Sequence, residues 1–187
     1  VKRAKELVML GAEKVIIGSA AWKKYPKPGE SVINTEFLDE LAKAIGKQRI
    51  IISVDAINGK IAVKGWTETI DVSLVEGAKQ AEPYCSELLF TCVEKEGCMH
   101  GTDMRLVQDV RKAVKCRVVA AGGVSSVAEI VNLEKLGCDV QLGMALYTGA
   151  VSLKDAFIEC LNWNKVPLVP VIAQSVNGQV LMMGYAS

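Results

Sequence analysis

The stretch VKRAKELVMLGAEKVIIGSAAW, residues 1–22, has a counterpart in VAEIVNLEKLGCDVQLGMALYT, residues 127–148, if one residue is dropped. Each copy reads as an amphipathic helix, a Leu-Gly stop, an acidic residue, a short apolar strand and a Gly-x-Ala turn. The offset of about 126 residues is far beyond a solenoid period. It is the offset expected of two half-barrels built from four β/α units each. A complete (β/α)8 barrel takes roughly 250 residues, so the repeat predicts three further units before Val1.

The chain between the two copies keeps the same beat. A helix is expected over Val1–Leu10, a strand over Lys14–Gly18 and a proline-rich loop over Tyr25–Ser31. A helix capped by Thr35 and running to Ile45 follows, then a strand over Arg49–Asp55 and a helix over Asp71–Ala81. Further strands are read at Glu87–Cys92, Arg117–Ala121 and Asp139–Gly143. They are separated by helices at Asp103–Val114, from Ser125 or Ser126 to Leu136, and at Ser152–Leu161. Short apolar strands without alternation are buried on both faces, which means an α/β fold with a helix-covered parallel sheet. The alternatives are an open doubly wound sheet and a (β/α) barrel. The absence of G-x-G-x-x-G after the first strand weakens the dinucleotide-binding form of the open sheet, and the repeat favours an incomplete TIM barrel of five units.

Composition excludes several functions. With 22 basic and 21 acidic residues among 187, the chain has no electrostatic footprint for nucleic acid. No apolar run reaches the ~18 residues of a membrane span, and the start has no signal-peptide pattern. The six cysteines lie singly, without a C-x-x-C pair, and His100 is the lone histidine, so no metal site is expected. Reduced thiols in a cytoplasmic protein fit this usage.

In a barrel, function gathers in the loops after the strands. AAGGVSS (120–126) ends a strand with Gly122-Gly123 and opens a helix with serines, and Gly143-Met144 repeats the arrangement one unit later. Glycine lets backbone approach a phosphate, and a helix N-terminus offers free N–H groups; the plainer reading is tight-turn glycine. Gly18-Ser19 occupies the symmetry-related position, so a ligand with a phosphate at each end would fit. Asp55, in IIISVDAINGKIAVKGW (50–66), ends a buried strand. There a carboxyl can serve as a general acid, or it can cap the Asn58-Gly59 turn of a hairpin continuing through Lys60–Lys64. Trp66 can stack on a ligand ring or simply pack. Thr91 is a candidate hydroxyl contact, while Cys92 and Cys98 read as small apolar fillers because no histidine partners them.

SVDAINGKIAVKGW (53–66), AAGGVSSVAEI (120–130) and LGMALYTGA (142–150), in this order and spacing, resemble the phosphoribosyl isomerase family of histidine biosynthesis. The resemblance runs from about Val1 to Trp163 and starts at the family barrel's third helix. It implies an Amadori rearrangement of an imidazole-carboxamide carrying two phosphoribosyl groups, catalysed by two aspartates without a cofactor. Asp55 matches the fifth-strand general acid that opens the ribose ring, and Thr91 a position near the reacting sugar. Gly18 and Ser19 match one phosphate loop; Gly122, Gly123, Gly143 and Met144 match the other. Gly65 and Trp66 belong to the family's Lys-Gly-Trp. The first-strand base has no counterpart here, so the isolated chain is expected to be inactive without an N-terminal half-barrel.

Three departures stand out: Cys92 where the family has an acid, Glu96-Gly97-Cys98 where it has Asp-Gly-Thr, and Met144 where arginine is common. They fit a divergent branch or altered specificity. The cyclase subunit that makes imidazole glycerol phosphate shares the half-barrel plan, and a non-catalytic phosphate-binding half-barrel is a further alternative. The tail PLVPVIAQSVNGQVLMMGYAS (167–187) reads as a hairpin turning at Asn177-Gly178. It resembles the opening strands of phosphoribosyl-AMP cyclohydrolase, a zinc enzyme whose metal ligands would lie beyond Ser187. Two domains are therefore expected, 1–163 and 164–187, in a bifunctional parent.

Overall fold

The structure is a computed structural model that describes residues 1–23, 26–27, 29–165 and 167–187. The expected loop over Tyr25–Ser31 includes Tyr25 and Pro28, which lie outside the described residues. In chain order the elements begin with α1 (Lys2–Met9), β1 (Val15–Ile17), α2 (Thr35–Ile45) and β2 (Ile50–Ser53). A meander of β3 (Ala56–Ile57), β4 (Lys60–Val63) and β5 (Glu68–Ser73) leads into α3 (Leu74–Ala81). Then come β6 (Glu87–Thr91), α4 (Met104–Ala113), β7 (Arg117–Ala121), α5 (Val127–Lys135), β8 (Asp139–Val140), α6 (Met144–Tyr147) and α7 (Leu153–Glu159). The hairpin of β9 (Val169–Gln174) and β10 (Val180–Ala186) closes the chain.

The central sheet has five strands in the order β1-β2-β6-β7-β8, all parallel. Each crossover moves one place in the same direction. A doubly wound sheet reverses its order at a switch point; this one never does, so it is an arc of a (β/α) barrel of the TIM type. Burial alternates along β2, while β6, in the middle of the sheet, is buried throughout. Ile50, Ile52, Leu88, Phe90, Val118 and Ala120 are buried beneath the helices. Ile51, Ser53 and Val119, on the opposite face, are only partly covered. Fully burying a side chain of this kind contributes about 1.5–3 kcal/mol, which makes the helix-covered face the source of stability.

The helices start on side-chain caps that satisfy N–H groups left free by helical geometry. Asp103 accepts from Arg105 and Leu106 at 3.0 and 3.1 Å, Ser126 from Glu129 and Ser152 from Asp155. Helix α2 is capped by Asn34, whose Oδ1 accepts from the Phe37 N–H, rather than by Thr35 as expected. Asn wins because its oxygen reaches the third N–H from just outside the helix.

The helix read over Asp71–Ala81 starts only at Leu74; residues 71–73 finish β5. Ile70 and Val72 turn to one side of that strand, and Ser73 caps α3 with Glu76 three residues on. The strand expected over Asp139–Gly143 ends at Val140, although the Gln141 N–H still reaches the Ala120 carbonyl. The C-terminal hairpin forms as expected, and nearly all its side chains are exposed.

Candidate functional site

Parallel register decides which residues meet at the mouth, the edge at the strands' C-terminal ends. Ile51 pairs with Glu87 and Ser53 with Leu89, and the same register continues to a bridge between Ala56 and Cys92. Asp55 therefore stands opposite Thr91, which pairs with Ala121 at the end of β7. Thr91 is buried at the end of a strand with no exposed residue. Gly18 follows β1 at one edge of the sheet, and Gly143 follows β8 at the other. Five strands at about 4.8 Å spacing put those edges roughly 19 Å apart along the arc, with Asp55 and Thr91 between them.

Asp55 is not the cap of the Asn58-Gly59 turn. Its Oδ1 accepts from the Ser53 hydroxyl at 2.6 Å and its Oδ2 from the Trp66 indole N–H at 2.7 Å. The Asn58 N–H goes instead to Glu94 at 2.8 Å. The turn has φ of 50° and 72° at Asn58 and Gly59, both left-handed as a tight Asn-Gly hairpin requires, so it needs no carboxylate.

Trp66 neither packs in the core nor lies free to stack: it is 42% exposed and tied to Asp55. Its backbone belongs to a run of three left-handed residues, with φ of 53°, 62° and 69° at Lys64, Gly65 and Trp66. Only Gly65 adopts this conformation without strain; each of the others costs about 1–2 kcal/mol. The Ser19 hydroxyl, accepting from the Lys64 N–H at 2.6 Å, and Thr67, donating to the Lys64 carbonyl, hold the run in place. Such strain concentrates at functional sites.

The glycine turns differ in what demands them. Gly18 and Gly143 share one backbone turn, with φ/ψ of −91°/−121° and −110°/−111°; this reproduces the internal repeat in three dimensions. Both open short helical turns. Gly122 and Gly123 have φ of 91° and 83° and are also needed for packing. A Cβ on Gly122 would stand 2.5 Å from the Cys92 carbonyl oxygen, and one on Gly123 would stand 2.6 Å from that of Gly101.

Gly122, Gly123, Gly143 and Met144 line one small cleft of about 40 Å³, together with Glu96 and Met99. The Glu129 carboxylate occupies the start of α5, accepting from the Ser125 N–H at 2.9 Å and from Thr102 N–H at 3.0 Å. Cys92 is a buried filler, and burial raises its thiol above the ordinary value.

Ser53 and Glu94 are not among the residues singled out from sequence, and Glu96 stands there only as a departure from the family's pattern. Ser53 lies two residues before Asp55 and so on the same face, a signal that was there to use. Glu94 and Glu96 reach the site from the short turn after β6 (Val93–Lys95 and the residue that follows), and Glu94 carries no local mark in the sequence. Among the described residues no group of three His, Cys, Asp or Glu side chains is placed to hold a metal ion, and no helix is long and apolar enough to cross a membrane.

Fold and mouth together define a (β/α)-barrel protein with glycine turns at both ends of an arc and a fixed carboxylate at its centre. A family model described as histidine biosynthesis protein matches residues 1–152, and the chain belongs to that family. Relatives named as isomerases of an imidazole-4-carboxamide bearing phosphoribosyl and phosphoribosylamino groups are similar to it. One from Methanocaldococcus jannaschii is 33% identical over 154 residues, 82% of this chain and 61% of the relative. Others are from Methanococcus maripaludis, 36% identical over 152 residues (80% and 60%), and Methanosarcina barkeri, 37% over 155 (82% and 59%). The chain thus spans about three fifths of the length of these curated relatives.

Proposed function

We propose that this chain carries the acid half of an aldose–ketose isomerase of histidine biosynthesis, acting on the bis-phosphoribosyl imidazole-carboxamide that its relatives' names describe. The observation that supports this most is the order of groups along the mouth: a glycine turn, Asp55 beside Thr91, then the paired glycine turns. A small molecule with a phosphate at each end spans that order, with its sugar at Asp55. No cofactor is required: the rearrangement moves protons only.

Asp55 gives its proton to the ring oxygen of the aminoaldose as the C1–O bond breaks, leaving an imine at C1. A base then removes the C2 proton, and the enolamine settles as the aminoketose. Ser53 fixes the acid's orientation, and Thr91 contacts the opened sugar. One carboxylate cannot serve both faces of the sugar, so the C2 base comes from an N-terminal half-barrel in a longer parent protein. Residues 1–163 form the barrel part and 164–187 begin a cyclohydrolase-like domain, to which any zinc requirement belongs; the parent is then bifunctional and works in the cytoplasm.

Glu96 supports a second reading. A carboxylate lining the Gly122–Gly143 cleft opposes a dianionic phosphate there, which favours a branch whose ligand is less charged at that end. The test is turnover of the bis-phosphoribosyl substrate by the full reading frame containing this chain, with and without Asp55→Asn. Loss by orders of magnitude in the variant supports the isomerase; equal rates, or none in either, refute it.

A further inference from the structure

The short turn after β1 (Ser19–Ala21) reaches the Asp55 carboxylate by two routes. The first runs through Trp22, the buried residue that ends the turn. Its indole N–H donates to the Ser53 carbonyl at 3.2 Å, and the Ser53 hydroxyl donates to Asp55 Oδ1 at 2.6 Å. The second runs through Ser19, whose hydroxyl oxygen accepts the Lys64 N–H at 2.6 Å. Two residues further on, the Trp66 indole donates to Asp55 Oδ2 at 2.7 Å. Both oxygens of the carboxylate are therefore held by donors anchored on one turn. That turn is itself fixed: Ala21 and Trp22 are buried, Trp22 bridges to Ile33, and the Ala21 N–H donates to the Gly18 carbonyl at 3.0 Å.

The two routes differ in what else supports them. Ser53 sits in β2, paired with Leu89 of β6, and the sheet keeps it in place. The 64–66 run is left-handed at all three residues, a conformation that Lys64 and Trp66 adopt only under constraint. Packing supplies little of that constraint. Trp66 is exposed, and an open cavity of about 180 Å³, lined by Ser19, Trp22, Val63, Lys64 and Ile70 among others, lies where the run meets the turn. The Thr67 hydroxyl donates to the Lys64 carbonyl from within the same loop, whereas Ser19 ties the run to a separate, fixed part of the barrel.

We propose that Ser19 is a positioning residue for Asp55: through the Lys64 N–H it keeps the left-handed run in the conformation that brings the Trp66 indole to Oδ2. The acid is then aimed from the same turn that would hold one end of the ligand. A serine hydroxyl that accepts one hydrogen bond still has its own proton to donate. An anionic oxygen at the Gly18 turn can take that proton's hydrogen bond, and bonds linked in a chain strengthen one another. Occupancy of that end and the aim of Asp55 are thereby coupled. The catalytic consequence rests on the isomerase reading; the hold on Trp66 does not.

The test begins with the ligand-free chain. Its three tryptophans give three indole N–H resonances in proton–nitrogen correlation spectra, and Trp66→Phe assigns the one in question. Asp55→Ala marks where that resonance lies when the indole is released. Ser19→Ala should move it toward the released position, and Ser19→Thr, which keeps the hydroxyl, should leave it in place. Exchange of the Lys64 amide should quicken by about tenfold or more in Ser19→Ala, while the Asn58 amide, held by Glu94 in the same meander, keeps its rate. A Trp66 resonance indifferent to Ser19→Ala overturns the proposal. So does a wild-type Lys64 amide that exchanges as fast as in an unfolded chain, a measurement that needs no variant to fold. In the full reading frame Ser19→Ala should lower kcat by about tenfold or more, with Ser19→Thr restoring it; a raised KM at unchanged kcat would make Ser19 a ligand contact only and overturns its positioning role. Absence of turnover in the parent refutes the isomerase reading, and the spectra then decide the role of Ser19 either way.

Discussion

Gly122→Ala separates two reasons for glycine after β7, and the structure sets the size of each. At φ of 91° an alanine enters the left-handed region, at a cost of about 1–2 kcal/mol. The new Cβ also stands 2.5 Å from the Cys92 oxygen and 3.0 Å from its nitrogen. That backbone cannot yield easily, because the Cys92 N–H is bonded to Ala121 and its carbonyl to the Lys95 N–H. Overpacking against an immobile neighbour adds about 1–3 kcal/mol. Reduced freedom of the unfolded chain returns about 0.5–1 kcal/mol, leaving a net loss of about 1–4.5 kcal/mol. Gly137 supplies the control: its φ is 75° and nothing lies within 4 Å of its would-be Cβ. Gly137→Ala therefore carries the backbone cost alone and should lose no more than about 1.5 kcal/mol. Urea unfolding of both variants, with unchanged slopes, reads the difference as a shift in midpoint. Equal midpoints would show that the collision with Cys92 is not real.

Trp66→Phe removes the indole donor from Asp55 and should cost about 1 kcal/mol, the usual worth of one hydrogen bond; unchanged urea midpoints would mean the indole bond carries no stability. Gly77→Ala puts a Cβ 2.7 Å from Ile61 Cγ1, so thermal unfolding should come earlier by several degrees despite alanine's better helix propensity; a higher midpoint would mean the meander gives way freely. The Asp71 carboxyl is held below its usual value by the hydrogen bond and charge of Lys60, so this pair's contribution is present above the unfolded pKa and is lost as acid protonates Asp71; in acid titrations Asp71→Asn should flatten that limb, and salt should weaken it in the parent. Deleting residues 164–187 should leave the arc's melting transition in place, since the hairpin's strands are exposed on both sides; a large drop would show that the two parts fold together.

The barrel arc was legible because a repeat survives in side-chain pattern: residues 1–22 and 127–148 present the same helix, stop, strand and turn, and Gly18 and Gly143 then share one backbone geometry. A cap was legible at Ser125 or Ser126, and Ser126 takes it; the helices read as starting at Asp103 and Ser152 begin one residue later, because those side chains accept N–H groups two or three residues on. Strand β5 was missed for a physical reason. Asp71 looks like a helix start, and only pairing of Lys60 with Ser73 and of Ala62 with Thr69 shows those residues to be extended. The Asp55–Trp66 bond depends on a left-handed run that propensity disfavours, so local rules argue against the very turn that forms it.

Glu87 on β6 is a buried carboxylate that receives both Lys14, just ahead of β1, and Arg117 on β7, and Arg117 also reaches Asp139 on β8. Lys14, just ahead of β1, and Glu87 on β6 lie on either side of β2, so their pairing spans a strand that neither belongs to. A slip of one residue in either β1–β2 or β2–β6 would turn a charge into the apolar face and strand its partner. The floor of the arc thus proofreads strand register during assembly, and it does so at the end of the sheet farthest from the residues that would touch a ligand.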